Sequence, residues 1–148
     1  MAYTQLLYHI VFSTKRRTPT IAAEHERSLY AYIMGVVNGT GGHLYRVGGM
    51  PDHVHIVLSI PSKWSLAAFV KRIKQGSSRW LRGNPNFPNW DRWAKGYGAF
   101  SYTYRDLPIV VEYVKRQKEY HARTSFAEEY RALLDEFGVA YDGQHFLE

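Results

Sequence analysis

Two histidines one residue apart, His53 and His55, lie inside the apolar run MPDHVHIVLSIP (50–61). Side chains in a strand alternate between its two faces. Val54, Ile56, Leu58 and Ile60 then form one unbroken apolar row that wants a core, and His53, His55, Val57 and Ser59 form the opposite row. The two imidazoles stand side by side, roughly 7 Å apart at their β-carbons in a regular strand. That spacing suits two ligands of one metal ion. Because His-x-His is common by chance, the pair gains meaning only from what else the chain brings to it. A second pair, Tyr113 and Gln117, lies in DLPIVVEYVKRQKEYHAR (106–123). In a helix these two sit one turn apart on one face and can reach the same point.

The elements around these residues follow from periodicity and breakers. TQLLYHIVFST (4–14) reads as a buried strand, ended by KRRTPT. Residues 22–39 place Leu29, Ile33, Val36 and Val37 at helical spacing and run into the turn GTGG. HLYRVGGM (43–50) and the histidine strand follow, joined tightly at Pro51. Residues 65–83 form a helix with Ser65 as N-cap and Leu66, Phe69, Val70, Ile73 and Trp80 on one face. KGYGAFSYT (95–103) is a strand. Residues 106–123 form a helix with Asp106 as cap and Pro108 in its first turn. Residues 125–138 form the last helix, capped by Ser125 and stopped by Gly138. The order β-α-β-β-α-β predicts an α+β, ferredoxin-like fold: a four-stranded antiparallel sheet with two helices on one face. The two C-terminal helices are free to cover the other face, where His53 and His55 lie. One domain accounts for 1–148, with a core over about 5–121 and a helical tail over about 124–148.

Composition narrows the chemistry. A chain of 148 residues with 45% apolar and 16% aromatic residues supports a packed core and excludes disorder. The absence of cysteine rules out disulfides, thiolate metal sites and cysteine nucleophiles, and leaves a cytoplasmic protein as the default. No apolar run is long enough to span a membrane, and the N-terminus does not read as a signal peptide. The net charge of +6 is uneven. Residues 1–98 carry 13 Lys/Arg against 4 Asp/Glu, whereas 99–148 carry 6 against 9. No acid lies between Asp52 and Asp91, where Lys63, Lys71, Arg72, Lys74, Arg79 and Arg82 all fall. A block of one sign points to a polyanion partner.

Taken together, YHIVFSTKRR (8–17), MPDHVHIVLSIP, SLAAFVKRIKQGSSRWL (65–81), WAKGYGAFSYT (93–103) and YVKRQ (113–117) resemble the single-tyrosine HUH transposases, the TnpA type encoded by the smallest bacterial insertion sequences. The likeness spans residues 5 to about 121. It implies that His53 and His55 hold a divalent ion with Gln117 as third ligand, and that Tyr113 is the nucleophile. It further implies a homodimer acting on single-stranded DNA with hairpins near the element ends, where the tyrosine helix can come from either subunit. Within that frame Arg16, Arg17, Lys71, Lys74, Arg79 and Arg82 are the expected DNA contacts. Trp64, Trp90, Trp93 and Phe87 are candidates to stack on bases. His121 is the alternative third ligand, and Tyr120 and Tyr102 are the alternative nucleophiles. His9 is placed to orient a ligand or to contact DNA, and Asp52 to support His53 from behind; His25, His43 and His145 read as ordinary.

The residue types suit the implied reaction. A tyrosine hydroxyl that displaces a 3′-oxygen gives a 5′-phosphotyrosine and keeps the phosphodiester energy, so rejoining needs no nucleotide cofactor. A phenol, with a pKa of about 10, is a weak nucleophile but a better leaving group than an alkoxide. Mixed imidazole and oxygen ligation fits Mg²⁺ or Mn²⁺, with Mn²⁺ the better match to imidazole. No general base is visible in the sequence. Two other activities share these residues: a domesticated hairpin endonuclease with the same site, and a non-catalytic nucleic-acid-binding module on the same fold.

Overall fold

The computed structural model describes residues 2–147. Four strands, β1 (Leu7–Ser13), β2 (His43–Met50), β3 (His53–Ser59) and β4 (Gly98–Ser101), form one sheet in the order β2-β3-β1-β4. Every neighbouring pair is antiparallel. The helices are α1 (Glu26–Gly39), α2 (Leu66–Leu81), α3 (Leu107–Lys115), α4 (Gln117–Tyr120) and α5 (Phe126–Glu136). The expected βαββαβ order therefore holds, and β2 and β3 join through the two-residue turn Pro51–Asp52, with Met50 opposite His53.

Strand alternation sorts the residues as the sequence implies. Val54, Ile56 and Leu58 pack with Ile10 and Phe12 of β1 against Leu29, Ile33 and Val37 of α1 and Phe69, Val70 and Ile73 of α2. On the reverse face Val57 meets Leu107, Val110 and Val114 of α3, while Val11 and Phe100 meet Phe126, Leu133 and Leu134 of α5. The sheet is thus covered on both sides, and His53 and His55 end up fully buried beneath the C-terminal helices.

Two glycines let those helices approach. A β-carbon on Gly48 would lie 2.5 Å from the Val114 carbonyl oxygen, and one on Gly98 would lie 2.7 Å from Tyr130 Cε1. Only bare backbone at Gly48 allows α3 to sit this close to β2. Local signals agree with the expected termini. Ser65 accepts from the Ala68 amide, and Ser125 and Glu128 form a reciprocal capping box. Gly138 takes a left-handed φ of 66° just past α5.

Three expectations needed adjustment. The helix expected over 106–123 breaks at Arg116 (φ −96°, ψ 22°) into α3 and α4. Past the break the chain is tied to the sheet side, where Lys118 donates to the Gly49 carbonyl and pairs with Glu26. Asp106 makes no side-chain cap bond, although Pro108 sits in the first turn as anticipated. Phe87 and Trp93 are core residues rather than exposed stacking platforms, at 2% and 7% exposure. The Trp93 indole N–H donates to the Ser77 hydroxyl at 3.0 Å.

Gly48→Ala is expected to push α3 off β2 and destabilise the fold by about 1–3 kcal/mol, the usual range for overpacking. Denaturant titration of the variant against the parent measures this.

Candidate active site

The buried face of β3 supplies two inward-pointing imidazoles, each held from behind. His53 Nδ1–H donates to Asp52 Oδ1 at 2.7 Å. His55 Nδ1 lies 2.7 Å from Nε2 of His9, which sits on the neighbouring strand β1, facing the same way. Asp52 and His9 thus each hold one of the two rings through its Nδ1, the contact that orienting a ligand would need. Both Nε2 atoms face the C-terminal helices.

Four residues from those helices meet them. Gln117, at the start of α4, places Oε1 3.1 Å from His53 Nε2 and donates through Nε2 to Glu129 Oε2 at 2.8 Å. The Tyr113 hydroxyl, on α3, also donates to Glu129 Oε2. His121 follows α4; its Nδ1–H donates to the Thr124 carbonyl at 2.6 Å and its Nε2 lies 3.0 Å from Glu129 Oε1. Glu129 itself comes from α5, and its Oε1 lies 3.3 Å from His53 Nε2 and 3.0 Å from His55 Nε2. Tyr113, Gln117 and the histidine pair are therefore brought together as expected. Glu129 was not foreseen, and it is the group on which the others converge.

Electrostatics follow from this arrangement. Burial opposes a charge on His53, but hydrogen bonds to Asp52 and Glu129 outweigh it and raise its pKa to about 9. His55, wholly enclosed, is lowered by burial despite its bond to Glu129. Burial also works against the Glu129 carboxylate, yet bonds from His121, His53 and His55 hold it ionised far below the usual carboxylate range. Burial and then the Glu129 charge push the Tyr113 phenol up. As it stands, the carboxylate keeps that proton on the tyrosine. A cavity of about 250 Å³ adjoins the hydroxyl, lined by Tyr102, Val110, Tyr113, Tyr120, Glu129 and Leu133. Tyr120 and Tyr102 thus border the site without bonding to its imidazoles.

The donor set fits a divalent cation. One atom each from His53, His55, His121 and Glu129 all lie within 4.8 Å of one another. Imidazole nitrogen and carboxylate oxygen are the donors that first-row divalent ions take.

The expected DNA contacts lie elsewhere on the surface. Lys71, Arg79 and Arg82 are exposed at α2 and its C-terminal end, in the layer across the sheet from the histidines. Lys74 has a structural task as well: its ammonium donates to the Ala94 and Gly96 carbonyls at 2.8 and 2.7 Å and lies over the Phe12 ring. Burial lowers its pKa to about 8. Arg16 and Arg17 are exposed just after β1, on consecutive left-handed residues (φ 57° and 56°) that are uncommon for arginine. The Thr14 amide and hydroxyl brace the turn by bonding to the carbonyls of Asp52 and Thr18.

Comparison with known proteins gives the family. The family model for IS200-like transposases matches residues 2–117. The chain belongs to that family, a family of single-strand, HUH-type transposases and hence of enzymes. Among curated relatives, the transposase of insertion sequence IS200 from Salmonella typhimurium is 27% identical over 117 residues, 76% of each chain. The ISDra2 transposase TnpA of Deinococcus radiodurans is 31% identical over 75 residues, covering 51% of this chain and 54% of that protein. Two solved structures share the fold. One, a crystal structure from Deinococcus radiodurans assigned as a transposase, aligns with a TM-score of 0.59 at 23% identity over 78% of this chain and 93% of its own. The other, a REP-associated tyrosine transposase bound to a REP hairpin, aligns with a TM-score of 0.62 at 14% identity over 99% of this chain and 92% of its own.

Asp52→Asn is expected to lower the His53 pKa in the metal-free protein, because the charged acceptor behind Nδ1 is lost. It should also weaken divalent-ion binding by about 10–100-fold, the usual cost of losing such a support. Imidazole NMR titration reads the first effect and calorimetry the second.

Proposed function

We propose that this chain cuts and rejoins single-stranded DNA with Tyr113 as nucleophile, through a 5′-phosphotyrosine intermediate, on DNA carrying hairpins at the ends of a mobile element. The observation that carries the proposal is the meeting of Tyr113, Gln117, His53 and His55 around one buried point, from segments 60 residues apart in the chain. His53 and His55 supply Nε2 ligands to a divalent ion, Mg²⁺ or Mn²⁺, and Gln117 Oε1 is the third ligand. When bound, the ion polarises the scissile phosphate and stabilises the departing 3′-oxygen.

This chain's residues do the rest. Asp52 and His9 fix the ring orientations of His53 and His55. The T-shaped contacts of the Tyr113 ring with His9 and His55 hold the phenol beside the ligands. Tyr113 attacks phosphorus, the P–O3′ bond breaks, and the phenolic proton leaves to solvent or to the departing oxygen. The reverse attack by a 3′-hydroxyl reseals the strand. Arg16, Arg17, Lys71, Arg79 and Arg82 contact phosphates, with Lys74 contributing through whatever of its ammonium stays open to solvent. The assembly we assign is a homodimer. In that dimer we take each Tyr113 to serve the histidines of its own chain, a reading its ring contacts with His9 and His55 support. No described helix is long and apolar enough to cross a membrane; we read the protein as cytoplasmic.

With single-stranded oligonucleotides and Mn²⁺, the parent should form a covalent protein–DNA band on a denaturing gel. Tyr113→Phe should lose the band while keeping DNA affinity. A band that survives in Tyr113→Phe moves the nucleophile elsewhere, and tight binding with no band in the parent favours a binding module. Neutralising Arg16, Arg17, Lys71, Arg79 or Arg82 should each flatten the slope of log K against log[salt] by about 0.7–0.9. An unchanged slope removes that residue from the DNA contact set.

A further inference from the structure

We infer that His121 and Glu129 are additional metal ligands, so that the C-terminal segment completes the ion site which β3 begins. The inference rests on His53 and His55 being ligands. Both added residues lie beyond residue 117, where the match to the family model stops.

Three observations carry it. The first is how the rings are held. His53, His55 and His121 are each anchored through Nδ1, by the Asp52 carboxylate, by His9 Nε2 and by the Thr124 carbonyl respectively. Each leaves Nε2 facing the same point. Metal-bound histidines are held from behind by outer partners in this way, and His121 is held just as the two strand histidines are.

The second is spacing. Donors bonded to one ion at about 2.1 Å lie about 3.0 Å apart at adjacent octahedral corners and about 3.4 Å apart at tetrahedral corners. Glu129 Oε1 lies 3.3, 3.0 and 3.0 Å from the Nε2 atoms of His53, His55 and His121. Gln117 Oε1 lies 3.1 Å from His53 Nε2. The separations to Glu129 Oε1 match those of ligands sharing an ion, and the donor atoms of His53, His55, His121 and Glu129 all lie within 4.8 Å of one another.

The third is charge. Two imidazoles and an amide are neutral, whereas Glu129 adds one negative charge at the site. It is 1% exposed and has no solvent to fall back on. Three imidazoles, the Gln117 amide and one carboxylate form a set that favours Mn²⁺ or Zn²⁺ over Mg²⁺. The second oxygen of the same carboxylate accepts the Tyr113 hydroxyl, so one side chain fixes the distance between ion and nucleophile.

The test is Mn²⁺ calorimetry on the metal-stripped full chain. His121→Ala and Glu129→Gln should each weaken binding by about 10–100-fold, as circular dichroism reports an intact fold. Equal or tighter binding in Glu129→Gln overturns the inference, because the carboxylate would then hold the ion's place and leave when it arrives. His55→Ala separates this failure from failure of the underlying reading: lost binding there keeps the strand histidines as ligands, and retained binding removes them. A second measurement needs no substitution. Mn²⁺ should protect residues 118–147 of the parent from limited proteolysis, and Mn²⁺-enhanced cleavage in that segment contradicts the inference.

Discussion

An ionised carboxylate in a protein interior must be paired, since the cost of stripping its water is several kcal/mol even after relaxation. Glu129 meets that requirement with three imidazoles, one amide and one phenol, drawn from β3, α3, α4 and the turn after it. The C-terminal helices therefore dock on the sheet by more than apolar contact. Phe126 stacks on the His53 ring at 4.3 Å, and Leu133 and Leu134 seal the same face against Val11 and Phe100. The polar centre and its apolar surround set each other's position. Losing the carboxylate would leave His53 with one acidic partner instead of two.

The site depends on the sheet in an equally specific way. Because β3 is central, both its faces are buried, and strand alternation assigns one to the apolar core and the other to the buried polar cluster. β1 supplies His9 diagonally across from His55, in register with Val57. β2 supplies no side chain at Gly48, and that gap lets α3 bring Tyr113 within reach. The ferredoxin-like frame holds His53 and His55 on a rigid strand, while Tyr113 rides on a helix packed over them. The basic residues of α2 lie in the opposite layer, so a single strand touching both Tyr113 and those residues has to pass around an edge of the sheet.

Much of this was legible in the sequence, and for identifiable reasons. Alternation alone separates His53 and His55 from Val54, Ile56 and Leu58, and helical spacing alone pairs Tyr113 with Gln117. The element order gives the fold, and Ser65 and Ser125 mark two helix starts correctly. Glu129 escaped because it stands beside Glu128 in the first turn of a capped amphipathic helix, where acids are ordinarily solvated and favoured by the helix dipole. A signal was present: Phe126, Glu129 and Leu133 fall at i, i+3 and i+7, so Glu129 lies on the apolar stripe that the structure buries. An acid on such a stripe needs a partner. The break at Arg116 was not legible, since the ties that set it, from Gln117 and Lys118, run to residues far away in the chain. Phe87 and Trp93 were misread because the loop bearing them looks polar, whereas tertiary packing folds both rings into the core.

The central claim is that strand histidines and C-terminal residues of a single chain form one metal-dependent tyrosine site. Anomalous diffraction from crystals grown with Mn²⁺ tests it most directly. The account predicts one strong peak within bonding distance of Nε2 of His53 and His55, flanked by the Glu129 carboxylate, with the Tyr113 hydroxyl of the same chain beside it. A peak bound elsewhere, or a His53–His55 site that stays empty at saturating Mn²⁺, would contradict it.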